Sequence, residues 1–231
     1  MHKVLIWDLS TRIFHWALAS SIVSTFVFAY GFDEHDRLFQ WHMLAGLIAA
    51  FLLVVRIVLG FVGTRYVQWK HFFHYPADSL SYFRSLIGNP ATLYAGHNPG
   101  TALMALLMFG FIPTLVFTGI TQDWEISEDL HAGVAIALAV AVGLHLLGLV
   151  VYTFRQRDNI SKAMVTGYKT APVDSGISSG RPWTGLILTA VIAAWIYTLL
   201  ATYDAKQATV KIPGLQSVIH LGEKEKEKHH D

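Results

Sequence analysis

Long apolar runs separated by short polar segments dominate the chain. A helix needs roughly 20 apolar residues to cross a hydrocarbon core of about 30 Å. Five runs meet this length, at residues 13–32, 38–62, 101–121, 130–154 and 183–203. Pro113 lies inside the third run, where its missing N–H is expected to kink the helix. The pattern predicts an all-α integral membrane protein, in which a four-helix transmembrane bundle is joined by a fifth, peripheral transmembrane helix.

Composition supports the membrane class and narrows the chemistry. Of the 231 residues, 53% are hydrophobic and 14% are charged, whereas a soluble domain has about 25% charged residues. The net charge of +1 gives no support for nucleic-acid binding. Cysteine is absent, which excludes iron–sulfur clusters, Cys-ligated zinc and covalently attached c-type haem. Histidine, with 12 copies, is therefore the expected ligand of any metal or cofactor.

The charges of the connecting segments predict an orientation. Segments 65–100 and 155–182 are rich in Lys and Arg, whereas segments 33–37 and 122–129 are acidic, with Arg37 as their only basic residue. The positive-inside rule then places the N-terminus in the cytoplasm and the residues after Asp204 outside it. The charged end at 223–231 is expected to be solvated and disordered. We divide the chain into a bundle at 1–170, a linker and fifth helix at 171–203, and an outer tail at 204–231.

Four histidines form two pairs that match in depth. His131 and His145 are 14 residues apart on one predicted helix, which is about 21 Å along its axis and about 40° around it. His15 lies near the inner end of the first span and His42 near the outer end of the second. His15 therefore pairs with His145, and His42 with His131. Such pairs suit bis-imidazole ligation of two haems inside a helix bundle.

Each of these histidines alone could equally be a hydrogen-bonded residue in a helix interface, because buried polar side chains need partners. The combination of four at matched depths carries the haem interpretation. Small residues at Gly46, Gly133, Gly143 and Gly148 would let a flat macrocycle approach the backbone. Four other histidines have no partner at matching depth and are interpreted as surface or interfacial residues: His35, His71, His74 and His220.

Several segments resemble the prokaryotic cytochrome b561 family. They are "VLIWDLSTRIFHWAL", "WHMLAGLIAAFLLVVRIVLGFVGTRY", "YAGHNPGTALM", "LHAGVAIALAVAVGLHLLG" and "ISKAMVTGYK", which occur in family order over roughly residues 4–170. Within the family they look closest to the di-haem cytochrome b subunit of nickel–iron hydrogenases. The resemblance implies two b haems in a bacterial inner membrane. It also implies that the haem ligands are His15, His42, His131 and His145, the same four residues that depth selects.

Further residues are candidates for contact with these groups. Arg56 lies in the inner half of the second span, where a haem propionate would neutralise its guanidinium. Arg12, at the membrane edge, is an equal candidate for a propionate partner or a positive-inside anchor. Trp16, Trp41 and Trp124 either pack on haem edges or belong to the interfacial aromatic belt.

The turn "YAGHNPG" at 94–100 precedes the third span. Tyr94, His97 and Asn98 could bind a quinone carbonyl or pass protons there, and the related formate dehydrogenase subunit has its quinone site beside the corresponding loop. A plain connecting turn is the alternative.

The predicted function is electron transfer across the inner membrane, between the quinone pool at the cytoplasmic haem and a periplasmic redox partner at the outer haem. The acidic outer segments suit a basic c-type cytochrome or a hydrogenase-like enzyme. One alternative is a stand-alone quinone oxidoreductase acting on a small diffusible species such as superoxide. A histidine-based metal-ion transporter is disfavoured, because no predicted span has Asp or Glu in its interior.

Overall fold

The computed structural model describes residues 2–33, 36–73, 78–88, 94–121, 125–156, 159–212, 214 and 218–221. Its helices are α1 (Leu9–Gly31), α2 (Gln40–Val62), α3 (Trp69–Phe72), α4 (Ser79–Gly88), α5 (Pro99–Ile120), α6 (Glu125–Gln156), α7 (Ala163–Thr166) and α8 (Pro182–Thr202). Its strands are β1 (His2–Leu5), β2 (Tyr168–Ala171), β3 (Thr209–Lys211) and β4 (Val218–His220).

Five helices are long and apolar enough to cross a membrane, as the hydrophobic pattern predicts. These segments are Leu9–Gly31, Arg37–Val62, Pro99–Ile120, Ser127–Arg155 and Pro182–Thr202. Helix α5 continues through Pro113 and does not end there. Helix α6 begins at Glu125, five residues before the predicted span.

Side-chain caps fix where α1 and α5 begin. Asp8 Oδ1 accepts hydrogen bonds from the Thr11 N–H and hydroxyl, both at 2.7 Å. Asn98 Oδ1 does the same for the Thr101 N–H at 2.8 Å and hydroxyl at 3.0 Å. Removing such a cap typically costs about 0.5–2 kcal/mol. Both caps lie just before an apolar run, so they set the depth at which each helix begins.

The long helices pack as neighbours in the order α8, α1, α2, α5, α6. Helix α1 packs most extensively on α2 and α5 on α6, with α2 also contacting α5. Each of these four helices contributes one buried residue to a shared apolar cluster: Ile22, Ala49, Ile112 and Leu138. Helix α8 contacts α1 and α2.

Two small antiparallel sheets lie at opposite ends of the helices, and the all-α prediction missed both. Strand β1 pairs with β2, from His2 opposite Ala171 to Leu5 opposite Tyr168. Strand β3 pairs with β4, from Thr209 opposite His220 to Lys211 opposite Val218. We call the end with β1 and β2, where α1 begins, the N-side. The opposite end, with β3 and β4, is the C-side.

The N-side sheet ties the start of the chain to the segment that follows α7. Gly167 O accepts hydrogen bonds from the N–H groups of Ile6 and Trp7, at 2.9 and 3.1 Å. Gly167 has a φ of +87°, and a Cβ there would lie 2.7 Å from Trp7 O. Only glycine suits this contact. The predicted domain boundaries at 170, 171 and 204 stay predictions.

Candidate functional site

His42 from α2 and His131 from α6 face each other near the C-side. Their ring centres are 6.1 Å apart, and the ring planes are inclined at 70°. We call this pair and the cavity beside it the C-side site. The cavity has a volume of about 290 Å³ and is lined by residues of α1, α2, α5 and α6. The structure therefore brings together His42 and His131, the two residues that depth placed at the same level.

Hydrogen bonds fix the tautomers of both imidazoles. His42 Nδ1 lies 2.9 Å from Thr25 O, and because a carbonyl can only accept, Nδ1 carries the proton. His131 Nδ1 lies 3.0 Å from Thr118 Oγ1. The Thr118 hydroxyl already donates to Thr114 O at 2.8 Å, so His131 Nδ1 is again the donor. Both Nε2 atoms therefore keep a lone pair, which is what a metal ligand requires.

The spacing of the two rings suits one transition-metal ion between them. Bonds of about 2 Å from each Nε2 to a shared ion, with ring centres about 1 Å behind the nitrogens, give ring centres about 6 Å apart. Among the described residues, no group of three or more His, Cys, Asp or Glu side chains could hold a metal ion. A pair of axial imidazoles suits haem, because the macrocycle supplies the other four ligands.

The helices beside the C-side pair leave room for a flat group. Gly46 lines the cavity one turn after His42, and a Cβ added there would meet nothing within 4 Å. On α5, a Cβ at Gly119 would lie 3.4 Å from His131 Cε1. Gly133 and Gly143 line neither described cavity. Of the four predicted glycines, Gly46 therefore lines the cavity beside His42 and His131, and Gly148 lines the cavity at the other end of the helices.

His15 from α1 and His145 from α6 lie at the N-side end of the same helices. Both are half-buried, and His15 Nδ1 is a buried atom without a hydrogen-bond partner among the described residues. A cavity of about 210 Å³ beside His145 is lined by residues that include Gly148, Asn98 and Tyr82. We call His15, His145 and this cavity the N-side site.

His97 belongs to the same region, next to the start of α5. The pKa of His97 is lowered to about 3, mainly by burial and additionally by the nearby Arg56, Lys169, His145 and His15. His97 is therefore within electrostatic range of both N-side histidines and is neutral at physiological pH. Its ring also packs edge-on against Trp7, with the ring centres 4.8 Å apart.

The two predicted propionate partners have different environments. Arg56 is buried, donates from Nη1 to Val67 O at 3.0 Å, and lies over the rings of Trp69 and Phe109 at 4.7 and 5.6 Å. Arg12 donates from Nη1 to Val165 O, and its buried Nε has no hydrogen-bond partner among the residues that the structure describes. Both guanidinium groups lie at the N-side.

The turn before α5 has a structural role that the sequence did not reveal. Asn98 is the cap of α5, so its Oδ1 is already used. Lys169 is 5% exposed, and its Nζ donates to Tyr94 O and to Gly96 O. Lys169 thus holds this turn, although its position in a basic connection suggested only an orientation signal.

Other predicted positions lie outside both described cavities. Trp16 is half exposed and donates from Nε1 to Met164 O at 2.9 Å. The ring of Trp41 lies beside those of Phe28 and Tyr203. His220 is exposed and His71 is half-buried. Three further candidates fall outside the described residues: His35, His74 and Trp124.

The fold defines a class, a helical multi-pass membrane protein in which two half-buried histidines lie close enough to hold one cofactor. The family model described as prokaryotic cytochrome b561 matches residues 6–167. The chain therefore belongs to the prokaryotic cytochrome b561 family, and the resemblance of its motifs is confirmed. It is a membrane b-type cytochrome involved in electron transfer. No curated protein and no solved structure matches the chain.

Proposed function

We propose that the protein is a di-haem electron conduit of the bacterial inner membrane. In this proposal one haem b binds between His15 and His145 at the N-side, and a second binds between His42 and His131 at the C-side. Electrons pass between the quinone pool at the N-side haem and a periplasmic redox protein at the C-side haem. Haem supplies the one-electron chemistry, while the protein ligates, buries and orients it.

The C-side site is the observation that carries this proposal. Its two imidazoles have the spacing expected for axial ligands of one iron, and hydrogen bonds from both Nδ1 atoms leave both Nε2 atoms available. The hydrogen bond from His131 Nδ1 depends on Thr118, whose hydroxyl oxygen accepts it. Such outer partners orient a ligand and raise its basicity. The site is therefore pre-arranged for ligation.

The arrangement of helix α6 supports a second site. His131 and His145 are both on this helix, about 21 Å apart along its axis. Ile22, Ala49, Ile112 and Leu138 fill the space at mid-depth with apolar side chains. Two haems at these positions would lie near opposite membrane surfaces.

Propionate binding is proposed for Arg56 and Arg12. A buried guanidinium is costly in a membrane unless a negative group or several acceptors face it. Both residues lie at the N-side, where His97, His15 and His145 are also found. A propionate there would add a charged partner to the carbonyl contacts that each arginine already makes.

Orientation follows from the basic residues at the N-side. Segments 65–100 and 155–182 both connect helices at this end, and they hold most of the Lys and Arg of the connections. The positive-inside rule therefore makes the N-side cytoplasmic and the C-side periplasmic.

The quinone site is proposed at the N-side cavity. Its lining includes Tyr82, Asn98, Thr101 and His145, which combine hydrogen-bonding groups with a haem ligand. Burial is the main cause that raises the pKa of Tyr82 to about 12, so its phenol keeps its proton and can donate to a carbonyl. A substituted quinol analogue should shift the spectrum of the N-side haem and leave the C-side haem unchanged. A shift confined to the C-side haem would contradict this assignment.

A partner at the C-side is proposed from charge. The acidic positions there that the structure describes include Asp33, Asp36, Glu128 and Asp129. They should steer a basic protein, such as a c-type cytochrome, or a basic face of a hydrogenase-like enzyme. Charge-neutralising variants at Asp36 and Glu128 should slow oxidation of the C-side haem by such a partner. Equal rates in the variants and the parent protein would mean that the partner does not bind at these acidic positions.

Ligand pairing is the direct test of the proposed function. His42→Ala and His131→Ala should each remove the same spectral component, and His15→Ala and His145→Ala should each remove the other. His220→Ala, at an exposed position, is the matched control and should leave both components intact. Loss of the same component in His15→Ala and His42→Ala would refute the pairing.

A further inference from the structure

The C-terminal strands pack tightly on the C-side of the helices. Val210 and Leu221 are both 0% exposed. They form one apolar cluster with Leu44 and Leu47 from α2 and Leu199 from α8. Removal of these large aliphatic side chains from water stabilises the contact. The hairpin formed by β3 and β4 is therefore packed against the helices.

Side chains alternate along β4 between the helices and the exterior. Val218 is 40% exposed and His220 is also exposed, whereas Ile219 between them is half-buried. Ile219 lines the C-side cavity together with His42 and His131. It is the only residue after α6 among those that line this cavity in the described part of the chain.

Hydrogen bonds hold the hairpin to the helix ends around the cavity. Thr202 Oγ1 donates to Lys211 O at 2.9 Å. Tyr203 OH lies 2.6 Å from Gln40 Oε1, to which it donates. Gln40 opens α2, two residues before His42. The hairpin and the end of α8 are thus linked to the helix that carries one of the two ligands.

We propose that the C-terminal hairpin is part of the C-side haem site. In this role Ile219 forms one wall, which retains the haem and keeps water from its edge. The inference rests on the proposed C-side haem. It also gives the fifth helix a function, because α8 places the hairpin over the site.

Exclusion of water should affect both retention and redox potential. An apolar shell lowers the local dielectric constant and so disfavours the more highly charged oxidised iron. The midpoint potential of the haem is therefore raised. Ile219→Ala would shorten this wall and admit water. We expect a lower midpoint potential for the C-side haem and release of that haem to an acceptor protein about tenfold faster, equivalent to about 1.4 kcal/mol.

The controls lie on the same strand and in the same molecule. Val218→Ala removes aliphatic atoms from the outward face, so it should leave retention and potential unchanged. Ile219→Leu keeps the volume and should stay close to the parent protein. The N-side haem is an internal reference, which none of the three variants should alter.

A second readout does not depend on electron transfer. Amide hydrogen exchange at 209–211 and 218–220 should be slower in the haem-loaded protein than in the haem-free protein, because the haem packs against β4. His42→Ala, which loses the C-side haem, should abolish that difference.

The outcomes separate the two proposals. If the parent protein holds no C-side haem, the proposed function fails. If the haem is present, and Ile219→Ala matches Val218→Ala in release rate, potential and exchange, only the hairpin proposal is overturned. Faster release and a lower potential in Ile219→Ala alone would support it.

Discussion

The hydroxyl of Thr118 offers a sharp test of how the protein tunes its C-side ligand. Thr118 is 3% exposed on α5, and its Oγ1 accepts from His131 Nδ1 at 3.0 Å. Thr118→Val replaces this hydroxyl by a methyl group of similar size. The imidazole N–H then loses its acceptor, so it is a weaker and less well oriented ligand.

The expected magnitude follows from two independent estimates. Loss of an outer-shell partner typically lowers metal affinity about 10- to 100-fold, which corresponds to about 1.4–2.8 kcal/mol. A buried donor left unsatisfied costs about 1–3 kcal/mol, which is the same range. Because a less basic ligand stabilises oxidised iron less, the midpoint potential of the C-side haem should rise. Redox titration of the visible spectrum and the rate of haem release measure the two effects.

Two further variants separate ligand tuning from changes in the helix. Thr114→Val, one turn earlier, removes a hydroxyl that donates to Gly110 O at 2.9 Å and makes no hydrogen bond to a histidine among the residues that the structure describes. It should leave the potential unchanged. Thr118→Ser keeps the hydroxyl and should restore the parent values. If Thr118→Val and Thr114→Val gave equal potentials and equal haem retention, the proposed role of Thr118 would be wrong.

Three more outcomes are expected. Gly46→Leu should abolish C-side haem binding in a folded protein, because the leucine side chain enters the cavity. Gly110→Leu, at an exposed position on α5, should leave the haem content unchanged. Haem analysis of the two purified variants measures the difference. Lys169→Met should lower the free energy of unfolding by about 1–3 kcal/mol, because the carbonyls of Tyr94 and Gly96 lose their donor. Lys162→Met, at an exposed position, should leave the free energy of unfolding unchanged. Denaturant titration of both variants measures this difference. The rate at which a basic c-type cytochrome oxidises the C-side haem should fall as salt is added, because screening weakens the attraction between the acidic positions and the basic partner. A rate that does not change with ionic strength would contradict this electrostatic attraction.

The hydrophobic pattern predicted the helices well because membrane spans have a strong compositional signal. All five observed spans overlap the predicted ones, with ends that differ by a few residues. Depth along those helices was then enough to pair His42 with His131. The ends of α1 and α5 depend on Asp8 and Asn98, whose capping role needs the backbone geometry to be seen.

The sequence could not predict the short strands or the hydrogen bonds made by Lys169 and Thr118. Strands β1 and β2 are separated by more than 160 residues, and a four-residue strand has no distinctive period. The segment "VKIPGLQSVIHLGE" at 210–223 is too apolar for a purely charged tail, but its sequence could not identify Ile219 as a cavity residue. Lys169 and Thr118 are ordinary in sequence, and only the fold brings them to Tyr94 and His131.

Packing of the hairpin formed by β3 and β4 on the helices also changes how a partner should be tested. A chain ending at Asp204 lacks the hairpin that packs on Leu44 and Leu47. Slower oxidation of such a chain would therefore reflect damage to the C-side site as well as loss of any docking segment. Substitutions at exposed acidic positions avoid this ambiguity.

The central claim is that this chain holds two b haems between two pairs of histidines. The haem-to-protein ratio of the purified, full-length protein tests it most directly, measured by reduced haem absorption against quantitative amino-acid analysis. We expect two haems per chain in the parent protein, and one in each of the variants His42→Ala and His15→Ala. A ratio of one in the parent protein, or a folded protein without haem, would contradict it.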